Sequence, residues 1–231
     1  GKELIARALH AGSRRAGGPF VPINCAAIPE ALIEAELFGY ERGAFTGATQ
    51  GKPGLFKAAH GGTLFLDEIG ELAPAAQARV LRSLQDGEVR ALGAARTSRV
   101  DLRVLAATHR DLGQMVAEGS FREDLYYRLQ VVEISVPALR ERGGDLDLLI
   151  DQFLRQIGAR VGRRQVAIST EARSRLRQHT WPGNVRELAN CLERATILCD
   201  SGMISVEHLG LTVPARTQVP GELNLDDYFR D

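Results

Sequence analysis

Hydrophobic positions along this chain alternate between two periods. Leu4, Ile5, Ala8 and Leu9 recur at helical spacing near the start, and helical patterns return near 29–38, 74–87 and 111–118. Between them lie short apolar runs: FVPIN (20–24), GTLFLDE (62–68), VDLRVLAATH (100–109) and VVEISV (131–136). Each reads as a strand. GTLFLD is continuous rather than alternating, as expected of a central strand buried on both faces. Strands separated by helices predict a parallel sheet covered by helices on both sides.

After VPALRERGGD (136–145) only helical patterns follow, over 145–161, 169–179 and 183–199. STEA at 169–172 marks a helix start with Ser169 or Thr170 as cap. WPGNVREL (181–188) is a break that opens another helix. The expected organisation is an α/β domain over 1–140, a small all-helical domain over 141–210, and a linker over 211–231. LTVPARTQVPGE (211–222) has the proline content of that linker, and LNLDDYFRD (223–231) begins a further element. No internal repeat or low-complexity tract is present.

Composition changes the picture only a little. The 231 residues are 44% apolar and 25% charged, with zero formal net charge. That suits a globular chain with a real core and gives no global attraction to nucleic acid or an anionic membrane. Cys25, Cys191 and Cys199 form no C-x-x-C pair and each sits in an apolar stretch, so they read as core residues in a reducing compartment. No run approaches the roughly 18 apolar residues of a membrane span. A cytoplasmic location is expected. The chain opens GKELIARALH, directly in a helical pattern, which predicts a longer parent protein.

The strongest chemical signal is Asp67-Glu68 at the end of GTLFLDE. Ligands of parallel sheets bind beyond the carboxyl ends of the strands. Two adjacent acids there need positive compensation, and Mg²⁺ on a nucleotide phosphate supplies it. Asp67 would hold the metal or its waters, and Glu68 would orient and deprotonate the attacking water. Gly1-Lys2 before a helix matches the end of a G-x-x-x-x-G-K-[ST] phosphate loop, with Glu3 in the usual Ser/Thr position. Lys2 would then reach the β- and γ-phosphates of ATP.

Other polar positions stay open on pattern alone. Asn24 either restrains Glu68 by a hydrogen bond or caps its own turn. Thr108 and His109, after the third strand, are either γ-phosphate sensors or ordinary turn residues. Arg122 and Arg128 in FREDLYYRL (121–129) are either solvated or supplied in trans to a neighbour's nucleotide, which would require a ring. Arg186, after WPGNV, would reach the nucleotide from the small domain.

ELFGYERGAFTGA, GGTLFLDEIGEL, AATHRDL, FREDLYYRL and WPGNVREL stand together in an order that resembles the central ATPase domain of bacterial enhancer-binding proteins. These are the sigma-54-dependent activators of the AAA+ class. The resemblance covers about 1–210 and implies a P-loop NTPase fold: a central parallel sheet flanked by helices, followed by a helical lid. It implies that Gly43, Ala44, Phe45, Thr46, Gly47 and Ala48 form the loop that engages sigma-54 in the RNA polymerase holoenzyme. Physically, Phe45 offers an apolar contact, Thr46 a hydrogen bond, and the flanking glycines a flexible backbone. DGEVRALGAARTSRVD (86–101) matches a second loop that moves with the first.

The resemblance also assigns Gly1, Lys2 and Glu3 to the phosphate loop, and Asp67 and Glu68 to the metal and catalytic acids. Asn24 falls on the glutamate switch, and Thr108 and His109 on the sensor. Arg122 and Arg128 fall on the trans-acting arginines of a hexameric or heptameric ring, and Arg186 on the lid sensor. Promoter or enhancer DNA would be bound by a further C-terminal domain. The weighed alternatives are another AAA+ remodelling machine and a module that keeps the fold without turnover.

Overall fold

The computed structural model describes residues 1–162, 166–199 and 202–211. The expected linker and the LNLDDYFRD segment therefore lie outside the described residues, apart from Leu211. The chain divides into two compact units, Gly1–Val136 and Pro137–Asp231.

In the first unit the elements run α1 (Lys2–Ala11), β1 (Phe20–Asn24), α2 (Glu30–Phe38), β2 (Gly39–Tyr40), β3 (Lys52–Pro53), α3 (Leu55–Ala58) and β4 (Thr63–Asp67). They continue as α4 (Pro74–Asp86), β5 (Glu88–Val89), β6 (Ser98–Arg99), β7 (Arg103–Ala107), α5 (Leu112–Ala117) and α6 (Glu123–Leu129). β1, β4 and β7 form a parallel sheet in that order. β4 is central, and Leu64, Phe65 and Leu66 are at most 2% exposed because helices cover both faces. Ile33, Leu37, Phe56, Ile69, Val80 and Leu125 pack with this strand into one core.

Two details of the sequence reading are corrected here. VVEISV (131–136) is not a strand, and its first residue closes a turn with Leu129. Val131 and Val132 are 80% and 79% exposed, and among the described residues no strand lies beside the segment. An apolar β-branched run becomes a strand only when a neighbour takes its backbone hydrogen bonds. Two small antiparallel pairs, β2·β3 and β5·β6, appear instead at the bases of the 41–51 and 90–97 loops. Two-residue strands carry no period from which to read them.

The second unit holds α7 (Asp145–Arg160), β8 (Ala167–Ile168), α8 (Thr170–Gln178), α9 (Asn184–Leu198), β9 (Met203–Ile204) and α10 (Val206–Leu209). It is therefore not wholly helical, since β8 and β9 pair in parallel. That pairing brings Ile204 to 0% exposure against Ile150, Leu176, Leu188 and Leu192. The Ser169 hydroxyl accepts the Ala172 N–H at 3.1 Å, which resolves the choice of cap for α8. Trp181 is buried and its indole N–H donates to the Leu176 carbonyl at 2.9 Å, which fixes the break before α9. All three cysteines are buried.

Candidate functional site

Register places Asn24 beside Asp67 and Asp67 beside Ala107, so the three strands end at one edge. The chain leaves β4 through Glu68, a non-glycine residue in the left-handed region (φ 53°, ψ 50°). Such a backbone costs of order 1–3 kcal/mol and persists only where surrounding contacts fix it. Here the contacts are one ion pair and two hydrogen bonds. Lys2 Nζ lies 3.2 Å from Glu68 Oε1, joining the first turn of α1 to the end of β4. His109 Nδ1 lies 2.7 Å from Glu68 Oε2, and the His109 backbone N–H donates to the same oxygen at 3.2 Å. The Glu68 side chain is 20% exposed. Partial burial pushes its pKa up, but the hydrogen bonds from His109 and Lys2 and the lysine charge outweigh that and hold it below the usual value.

Asp67 accepts the Glu68 N–H at 3.2 Å. Beneath the two acids lies Cys25. Burial, with the charges of Asp67 and Glu68 adding to it, pushes its thiol up to about 12, so it is an inert neighbour rather than a nucleophile.

The remaining candidates distribute as follows. The Asn24 side chain accepts the Ala26 N–H at 2.9 Å and caps its own turn. It does not hold Glu68 in this conformation, and His109 takes that part. Such a local side-chain bond to an amide two residues on is favoured for Asn at a turn. Thr108 Oγ1 accepts the Arg110 N–H at 3.0 Å. Gly1 precedes α1, and its carbonyl accepts the Ile5 N–H. Glu3 is turned away, paired with Arg7 one helical turn on at 2.7 Å. Arg122 pairs with Asp124 at 2.7 Å, and Arg128 donates to the Leu84 carbonyl at 2.8 Å. Arg122 directly precedes α6 and Arg128 lies on it, and both are exposed. Arg186 is exposed in the first turn of α9, in the second unit.

Gln77 is a residue the pattern did not single out. It is 0% exposed on α4, donates to the Leu72 and Ser120 carbonyls, and accepts the Arg122 backbone N–H at 2.9 Å. Its signal was a polar residue on the buried face of α4, which it shares with Ser83.

Residues 43–48 form the tip of the β2·β3 hairpin. Gly43 N–H donates to the Ala48 carbonyl at 2.8 Å and Ala48 N–H to the Phe45 carbonyl at 3.0 Å. Gly43 and Gly47 take φ +82° and +102°, which side-chain-bearing residues rarely adopt. Phe45 is 42% exposed and rests edge-on against Tyr40, with ring centroids 4.9 Å apart. The second loop is tied to this one: Leu92 N–H donates to the Gly39 carbonyl, and Glu41 N–H donates to the Leu92 carbonyl.

The parallel sheet flanked by helices, with a lysine at a helix start facing an acid beyond the central strand, together with the family matches, places the chain in the AAA+ ATPase class. Residues 140–224 match the AAA+ ATPase lid domain. Residues 1–135 match the sigma-54 interaction domain, and the chain belongs to that family of sigma-54-dependent transcription activators.

The chain is 51% identical to the Nif-specific regulatory protein of Azotobacter vinelandii, over 100% of its own length and 45% of that protein. It is 50% identical to the transcriptional regulatory protein ZraR of Salmonella typhimurium, over 96% of the chain and 51% of ZraR. It thus spans about half the length of these curated relatives. The crystal structure of NtrX from Brucella abortus in complex with ATP superposes with a TM-score of 0.82 at 40% identity, covering 90% of this chain and 48% of NtrX. Among the described residues no helix is long and apolar enough to cross a membrane.

Proposed function

We propose that this chain hydrolyses ATP and uses the turnover to move the 43–48 loop, which remodels the closed complex of sigma-54 RNA polymerase. The observation that carries this reading is the pairing of Lys2 with Glu68, residues far apart in sequence, at the sheet edge where phosphates bind. In this reading Lys2 leaves Glu68 for the β- and γ-phosphates, which frees one carboxylate oxygen. Glu68 takes a proton from the attacking water, and Thr108 and His109 sense the γ-phosphate from the next strand. Asn24 becomes available to Glu68 if its turn cap opens. Gly1 offers a helix start to the phosphates.

Mg²⁺ fits the donor set as a shared ligand. Among the described residues no cluster of three His, Cys, Asp or Glu forms a cage, so Asp67 would hold it together with phosphate oxygens and water. Bound there, Mg²⁺ supplies charge neutralisation for phosphoryl transfer. Arg122 and Arg128 act on a neighbouring subunit's nucleotide in a hexameric or heptameric ring, and Arg186 acts from the lid. DNA is bound by another part of the parent protein.

The NtrX complex with ATP supports nucleotide binding at this site, and the exposure of Phe45 and Thr46 supports a surface contact by the loop tip. The test uses the full-length protein. Glu68→Gln should keep ATP binding and lose turnover by about a hundredfold or more. Thr46→Ala should keep turnover and lose open-complex formation in a sigma-54 transcription assay. Normal hydrolysis by the first variant, or normal transcription by the second, contradicts the corresponding half of the reading.

A further inference from the structure

Helix α4 carries two polar side chains that face different business. Gln77 binds the helix to the segment leaving Glu68, through the Leu72 carbonyl, and to the start of α6, through the Ser120 carbonyl and the Arg122 N–H. A shift at either place therefore carries α4 with it. Two positions on, Arg79 faces away from Gln77. Its Nη1 lies 2.7 Å from Glu34 Oε2 on α2, and its Nη2 donates to the Arg90 carbonyl at the start of the second loop. The guanidinium also sits over the Phe38 ring, 4.3 Å from its centroid.

Those partners are the footings of the 43–48 loop. Phe38 ends α2, and Gly39 begins β2 directly after it. Gly39 and Glu41 hydrogen-bond Leu92, two residues beyond Arg90. The footing has little play. A Cβ on Gly93 would approach the Ala44 Cβ to 3.1 Å, and a Cβ on Gly39 would lie 2.5 Å from the Lys52 carbonyl oxygen. One planar fork thus grips a carboxylate, an aromatic face and a backbone carbonyl at once, which a lysine's point charge cannot reproduce.

We infer that Arg79 is the positioning residue through which displacement of α4 reaches both loops together, a role that rests on the reading of the 43–48 loop given above. Arg79 touches neither nucleotide residues nor the loop tip. Its loss should separate turnover from mechanical output rather than reduce both.

The test uses the full-length protein with an environment-sensitive fluorophore on Gln50→Cys, which is exposed beside the tip. Wild type should show a nucleotide-dependent fluorescence shift and open-complex formation. Arg79→Ala should keep kcat and KM for ATP near wild type, while the shift and the yield of open complex fall about tenfold. Arg79→Lys should recover part of the loss by pairing with Glu34. Glu34→Gln leaves the Arg90 contact in place and should give an intermediate loss, which keeps the test decisive if Arg79→Ala misfolds.

Full fluorescence shift and opening in Arg79→Ala would overturn the inference. So would a fall in turnover proportional to the fall in opening, or wild-type behaviour of Glu34→Gln where Arg79→Ala does not fold. If the wild type itself hydrolyses ATP without moving the probe or opening promoters, the reading of the loop fails instead, and the inference falls with it.

Discussion

Glu68 shows how a single residue's chemistry depends on who holds it. Its left-handed backbone turns the carboxylate back across the strand ends, where Lys2 and His109 share its two oxygens. These hydrogen bonds hold its pKa below the usual range despite partial burial. If Glu68 is the base proposed above, it works only when ionised, and ATP turnover should be lost as pH falls through that lowered pKa. His109→Ala removes the ring contact and leaves the backbone N–H in place. The pKa then rises towards the ordinary carboxylate value, and the acid limb of the kcat/KM profile for ATP should move to higher pH. An unmoved acid limb would show that the ring does not tune Glu68.

Elements here are stabilised in two different ways. In the first unit β4 is held by burial. Leu66→Ala removes a 0% exposed side chain and should cost about 2–5 kcal/mol in urea unfolding, with the range set by how far the core collapses into the gap. In the second unit, α7 and α8 are clasped by charge. Arg173 bonds Asp147 and Asp151, and Arg177 bonds Asp147 again. Arg177 first, against the opposing effect of burial and with help from Arg173, holds the Asp147 carboxyl below its usual value. The clasp is partly solvated, so Arg173→Ala should cost only about 1 kcal/mol at neutral pH. A depressed carboxylate contributes fully above its unfolded pKa and loses that contribution as pH falls through the folded one. The gap between wild type and Arg173→Ala should therefore close in acid, as measured by melting temperature below the ordinary aspartate range.

On the scale of the whole molecule, the proposed active site needs more than one subunit. Arg122, just before α6, and Arg128, on it, are exposed, and Arg122 is turned to Asp124, not to Glu68. If they act in trans, neither Arg122→Ala nor Lys2→Ala subunits should hydrolyse ATP alone. Mixed and allowed to exchange, they should recover part of the turnover, because some interfaces pair an intact Lys2 with an intact Arg122. No recovery at any ratio would place the arginines elsewhere in the mechanism.

Apolar runs sufficed to locate β1, β4 and β7, although only β4 is buried along its length and the flanking β1 and β7 are partly exposed. The same rule failed at 131–136, where the residues are right but no neighbour takes their backbone bonds. It was silent on the two-residue pairs that foot the loops, which have no period at all. At the site, residue type and strand-end position were enough to single out Lys2, Asp67 and Glu68, since adjacent acids beyond a buried strand demand a cation. Which groups hold Glu68 was decided only in three dimensions. Asn24 bonds an amide within its own turn, while the register of β4 and β7 brought His109 within reach. The local chain states what each residue can do, and long-range packing selects which partner it does it with.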